Sequence, residues 1–149
     1  LCLVAGTLSP EKTTMQIIRS DDKEEKIYRI EGYLKKDEGK NQVQILQHPG
    51  KDAKPIVTEY RPIRRIGNQT LLEVHLITGR SHQIRAHLAS IGHPIIGDTK
   101  YGDVKINREY AKKAGITHQL LHAHRLVLED GREIQAGLPE EFKRAMNVK

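Results

Sequence analysis

Residues 71–102 read Leu71-Leu72-Glu73-Val74-His75-Leu76-Ile77-Thr78-Gly79-Arg80-Ser81-His82-Gln83-Ile84-Arg85-Ala86-His87-Leu88-Ala89-Ser90-Ile91-Gly92-His93-Pro94-Ile95-Ile96-Gly97-Asp98-Thr99-Lys100-Tyr101-Gly102. The apolar period changes inside this stretch. Leu72, Val74 and Leu76 alternate with Glu73 and His75, which predicts a strand with one buried face. Ile84, Leu88 and Ile91 then recur at helical spacing, with Ser81 as the expected N-cap and Gly92 as the stop. Strand, sharp turn and helix therefore follow one another within about 20 residues. Arg80, His82, Gln83, Arg85 and His87 crowd the turn and the start of the helix. A helix start favours anions, and two arginines there could hold a phosphate or clamp a carboxylate bidentately. A solvated arginine surface explains the same residues equally well.

Outward from this stretch, strands dominate. The pattern predicts strands over 1–6, 26–34, around Val43 and Ile45, over 55–66 and over 70–77, with Gly67-Asn68 as a hairpin turn. Residues 94–103 read as an extended loop. A short helix is expected from Asn107, its cap, to Ala114, with Gly115 as its stop. A strand over 119–128, an Asp130-Gly131 turn into 132–136, and a last helix over 140–146 opened by Pro139 complete the chain. Residues 9–25 are polar and aperiodic and read as a flexible loop. The expected fold is α+β: a mixed, mainly antiparallel sheet with two or three packed helices, forming one domain over 1–149.

Composition narrows the function classes. The 149 residues include one cysteine, so an internal disulfide is excluded and a cysteine-based zinc site has no support. That usage fits a reducing, cytoplasmic setting. No apolar run approaches a membrane span. The net charge is +6. Residues 1–60 hold ten Lys/Arg and ten Asp/Glu, whereas 61–149 hold fifteen and nine, so the second half carries the whole excess. A one-sided positive balance points to a polyanionic partner. His122 and His124 share a strand face, but no carboxylate stands at metal-ligand spacing from them, so no metal is expected. Arg61, Arg64 and Arg65 could touch an RNA backbone or form a solvated strand face. Tyr101 either stacks on RNA or packs beside the loop. Asp98 and Asp103 fit turns better than acid chemistry.

The run Thr78-Gly79-Arg80-Ser81-His82-Gln83-Ile84-Arg85-Ala86-His87, followed by Gly92-His93-Pro94-Ile95-Ile96-Gly97-Asp98 and Tyr101-Gly102, resembles the signature of RluA-type RNA pseudouridine synthases. Leu121-His122-Ala123 with Leu126, and Lys54-Pro55 with Thr58 and Tyr60, resemble neighbouring parts of that family. The resemblance implies a cofactor-free enzyme that turns uridine into pseudouridine in folded RNA, with large-subunit ribosomal RNA as the expected target. The base is detached, rotated and rejoined through carbon after flipping from its stack. The catalytic aspartate of the family lies in a His-Arg-Leu-Asp segment, and a tyrosine stacks on the flipped base. Arg85 matches the arginine that pairs with that aspartate; Arg80, His82 and Gln83 are the expected substrate contacts or shapers of the turn. No His-Arg-Leu-Asp occurs in these residues. Leu1–Gly6 fits the strand just after the tyrosine, with Cys2 in an alanine place. The expectation is therefore a C-terminal part of the catalytic domain, inactive alone. The rival reading is a noncatalytic RNA-binding module. A buried Arg85 without a carboxylate partner would favour the enzyme, and an Arg85 on a convex basic patch the module.

Overall fold

The computed structural model describes residues 1–8, 14–20, 23–37 and 39–148, with the side chains of 14–20 and 23–25 left aside. Among the described residues, eight strands and three helices follow in chain order: β1 Cys2–Ala5, β2 Thr14–Ser20, β3 Lys23–Asp37, β4 Gln42–Leu46, β5 Ala53–Ile66, β6 Gln69–Leu76, α1 Gln83–Ser90, α2 Val104–Ala114, β7 Arg125–Val127, β8 Glu133–Gln135 and α3 Glu140–Met146. The main sheet runs β1-β6-β5-β3-β2, and β4 also pairs with β3. Every ladder among the described residues is antiparallel. The α+β architecture thus agrees with the sequence pattern.

β3 explains the forked edge. Its first half pairs with β2 and its last residues, Tyr33–Asp37, pair with β4, while Tyr28–Lys35 pair with β5 on the other side. The flexible loop expected over 9–25 is corrected here. Residues 14–20 form β2 and 23–25 open β3, whereas 9–13 and 21–22 lie outside the described residues. Alternation is masked there by charge, because an edge hairpin tolerates polar residues on both faces.

β1 is the apolar heart. Cys2, Leu3 and Val4 are each 0% exposed, which is why the run shows no alternation. β6 covers one edge, while the Pro94–Ile96 and Leu120–His122 segments hydrogen-bond along the other. The strand expected over 119–128 shrinks accordingly to Arg125–Val127, because Leu120, Leu121 and His122 are tied locally to β1 and Ile96. Leu88, Ile95, Ile96, Leu120 and Phe142 close the core over this strand. Burying a side chain of that size contributes about 2 kcal/mol.

Two caps also differ from expectation. α1 is preceded not by a capping Ser81 but by His82 in the left-handed region, φ 57°, with no side-chain cap. α2 begins three residues early, at Val104, because the Asp103 carboxylate accepts from the amides of Lys105 and Ile106. Asn107 serves elsewhere, as described below. Gly115, at φ 68°, stops α2 as expected.

Candidate functional site

The turn between β6 and α1 is held from inside by one amide. Gln83 is 1% exposed. Its Oε1 accepts from the Thr78 hydroxyl at 2.9 Å and the Arg80 amide at 3.1 Å, and its Nε2 donates to the Val57 carbonyl and the Thr58 hydroxyl oxygen, both at 3.0 Å. The Val57 amide in turn donates to Thr78 Oγ1 at 3.0 Å. Gln83 therefore shapes the turn by stitching it to β5. Its side-chain amide is engaged by these four bonds within the chain. The stitch also explains how α1 starts without a side-chain cap.

Beyond Gln83 the network continues inward. Thr58 Oγ1 lies 2.9 Å from His87 Nδ1, and both side chains are buried. His87 Nε2 has no well-formed hydrogen bond. Burial pushes the ring pKa down to about 4, against a weak opposing pull from the Glu31 backbone. His87 is thus a neutral core group.

Arg85 sits one turn into α1 with its side chain 12% exposed. It has a carboxylate partner within this chain: Nε and Nη2 donate to Asp98 Oδ2 and Oδ1, each at 2.8 Å. The bidentate bond uses two of five N–H donors, and the two on Nη1 have no partner among the described residues. Asp98 is 0% exposed. Its Oδ1 also accepts from the Lys100 and Tyr101 amides at 2.9 and 3.0 Å, the turn-forming role expected of it. Burial pushes its pKa up, but Arg85 and the two amides outweigh burial and hold it below the usual carboxylate value. The same bond raises that of Arg85.

The loop carrying Asp98 admits few alternatives. Gly97 has φ +83°, and a Cβ there would stand 2.1 Å from the His118 carbonyl oxygen. Asn107 accepts from the Gly97 amide and donates to the Asp98 carbonyl, both at 2.8 Å, which is why it does not cap α2. Tyr101 packs rather than standing free. The Arg85 guanidinium carbon lies 5.3 Å from its ring centroid. Its hydroxyl meets the Val43 amide and His82 Nδ1, both at 2.9 Å. Arg80 is exposed at the apex of the turn, and His82 is half-buried beside it. Sequence reasoning missed Asn107, and placed Tyr101 and Asp98 without seeing that both serve Arg85. Their spacing after Gly97 was the available signal.

A groove of about 930 Å³ adjoins the turn, lined by Leu1, Glu59, Arg61, Glu73, Ile84 and His122 among others. Arg85 is not in its wall; Ile84 marks the boundary. Within the groove, Arg61 is paired to Glu73, and Arg29 to Glu59. Arg64 and Arg65 are exposed further along β5.

The model of the family described as RNA pseudouridylate synthase matches residues 2–90, the stretch that contains β1 to α1 and the whole stitched turn. The chain belongs to the RNA pseudouridylate synthase family. Among curated relatives, this synthase-family chain is 38% identical over 116 residues to an uncharacterized RNA pseudouridine synthase of Aquifex aeolicus. It is 40% identical over 115 residues to tRNA pseudouridine synthase C of Salmonella typhimurium, and 44% identical over 94 residues to an uncharacterized RNA pseudouridine synthase of Helicobacter pylori. The matches cover 68%, 64% and 63% of this chain, but 37%, 43% and 34% of those relatives. The family fold is also that of human RNA pseudouridylate synthase domain containing 1. That structure superposes with a TM-score of 0.66 at 21% identity, over 98% of this chain and 55% of the human one. The discriminator between enzyme and binding module falls between its two forms: Arg85 is largely buried, and it is already paired.

Proposed function

We propose that the protein of which these residues form part isomerises uridine to pseudouridine in RNA, with large-subunit ribosomal RNA as substrate and the cytoplasm as its setting. The observation that carries this reading is the signature turn with Arg85 clamped flat by Asp98 and Tyr101. A guanidinium fixed on two sides by its own chain presents its remaining edge in one orientation. Nη1 is then the donor that would keep a catalytic carboxylate ionised and aimed. That carboxylate is the aspartate of a His-Arg-Leu-Asp segment, which these 149 residues do not contain. Residues 1–149 alone are accordingly inactive. Arg80 and His82, at the turn's surface, would meet RNA.

The test is tritium release from 5-tritiated uridine by the full-length protein, offered ribosomal RNA and transfer RNA separately. The expected result is release from ribosomal RNA, abolished by Arg85→Ala in a protein that still folds. Release from transfer RNA only would overturn the substrate assignment. Release by residues 1–149 alone would overturn the need for a separate aspartate. Near-normal turnover by Arg85→Ala would remove Arg85 from the site.

A further inference from the structure

Among the residues expected to meet RNA, His82 is the one whose chemistry depends on where a proton sits, and the structure supplies the group that decides it. The Tyr101 hydroxyl has one proton and two close neighbours. The Val43 backbone amide, 2.9 Å away, can only donate to it. His82 Nδ1, also 2.9 Å away, can accept from it. The arrangement in which every group is satisfied runs Val43 N–H to Tyr101 oxygen, then Tyr101 O–H to His82 Nδ1. Nδ1 is then bare, and the ring proton resides on Nε2, across the ring from the tyrosine.

We infer that Tyr101 is a positioning residue: its hydroxyl holds His82 as the neutral Nε2–H tautomer, so that the turn offers RNA an uncharged donor. The substrate-facing part of this inference rests on the synthase reading; the tautomer does not. Two further observations agree with it. The ring of His82 meets that of Tyr101 edge-on at 5.7 Å, so its plane is fixed. Its surroundings disfavour a second proton, because burial, Arg85 and Lys100 lower its pKa against the opposing pull of Asp98. The hydroxyl has a second effect. Through Val43 it ties β4 to the loop that carries Asp98, a link that the Lys100 ammonium reinforces independently by its bond to the Asn41 carbonyl at 2.9 Å.

The experiment is nitrogen NMR of the full-length protein labelled with 15N-histidine, with His82 assigned by the signals lost in His82→Gln. Between pH 7 and 8 the expected His82 signature is one nitrogen in the unprotonated range, correlated as Nδ1, and one protonated Nε2. An Nδ1–H tautomer or a charged ring in that range would overturn the inference. In Tyr101→Phe, which keeps the ring over Arg85, the two nitrogen shifts should converge towards the average of exchanging tautomers. Unchanged shifts would equally overturn it. With the same two proteins, kcat/KM for tritium release should fall about tenfold, the scale of one lost hydrogen bond in a buried setting. A tautomer that shifts while kcat/KM stays constant would keep the proton assignment and overturn the substrate-facing role. No release by the wild type would instead fail the synthase reading, with the tautomer still decided.

Discussion

Two arginine–carboxylate pairs in this molecule use the same chemistry to different ends. Arg85–Asp98 lies between α1 and its following loop, with side chains 12% and 0% exposed. Arg61–Glu73 bridges β5 and β6 on the groove wall, with both side chains about a third exposed. The Asp98 carboxylate accepts four hydrogen bonds, three on Oδ1 and one on Oδ2, from a guanidinium and two backbone amides. The first pair is a part of the fold that happens to face the site, and the second is a replaceable surface feature. An ion pair contributes according to what remains unsatisfied when one member is lost, and that differs sharply between these two places.

Breaking the buried pair should give the largest effect. Asp98→Ala leaves the Arg85 charge unpaired and two amides without acceptors, and should cost about 3–5 kcal/mol, read by urea denaturation. A cost below about 1 kcal/mol would make the two pairs alike and end the contrast. Asp98→Asn, which keeps the turn-forming carbonyl, should cost less.

The pH dependence comes next. The folded pKa of His87, about 4, lies below its unfolded value of about 6.5, so the unfolded chain binds more protons between them. Stability should therefore be full above pH 6.5 and fall as pH drops towards 4, by up to about 3 kcal/mol. Asp98 follows the same arithmetic in a lower window: its depressed pKa contributes stability that is lost only as pH falls below the usual carboxylate value. Denaturation at pH 7 and pH 4.5 should show the loss in the wild type and a reduced slope in His87→Gln. An equal slope in both proteins would assign the loss to other groups.

Gln83→Ala should cost about 2 kcal/mol, because it strands Thr78, Arg80 and Thr58 partners in a buried turn. The same measurement on Arg61→Ala should give about 0.5 kcal/mol, reduced further by salt. If Arg61→Ala cost as much as Gln83→Ala, the groove wall would be as rigidly built as the turn.

Legibility in the sequence followed the same division. The change of period from two to 3.6 across residues 71–91 placed β6 and α1, because both faces of that unit pack against a single core. The edge hairpin of β2 was missed, since Thr14–Ser20 shows little alternation and the run that turns it into β3, Asp21 to Lys26, is charged throughout. Asp103 displaced Asn107 as the α2 cap because either residue could fill the role locally. The choice was made by Gly97 and Asp98, which need the Asn107 amide. Within the candidate site, Arg85 could be selected from the signature, but Gln83 could not be separated from Arg80 and His82. All three are polar residues in one turn, and only burial against Val57 and Thr58 distinguishes them.

The sequence by itself determined the α+β class, the strand–turn–helix unit, the family resemblance and the concentration of positive charge in the second half, because each is written in local spacing or composition. The tertiary structure alone decided that Arg85 is paired with Asp98, that Gln83 is a structural strut, and that the Tyr101 hydroxyl meets both β4 and His82. Those facts join residues 13 to 58 positions apart. No local pattern encodes them, because a hydrogen bond's partner is chosen by which groups the packed core brings within about 3 Å and seals from water.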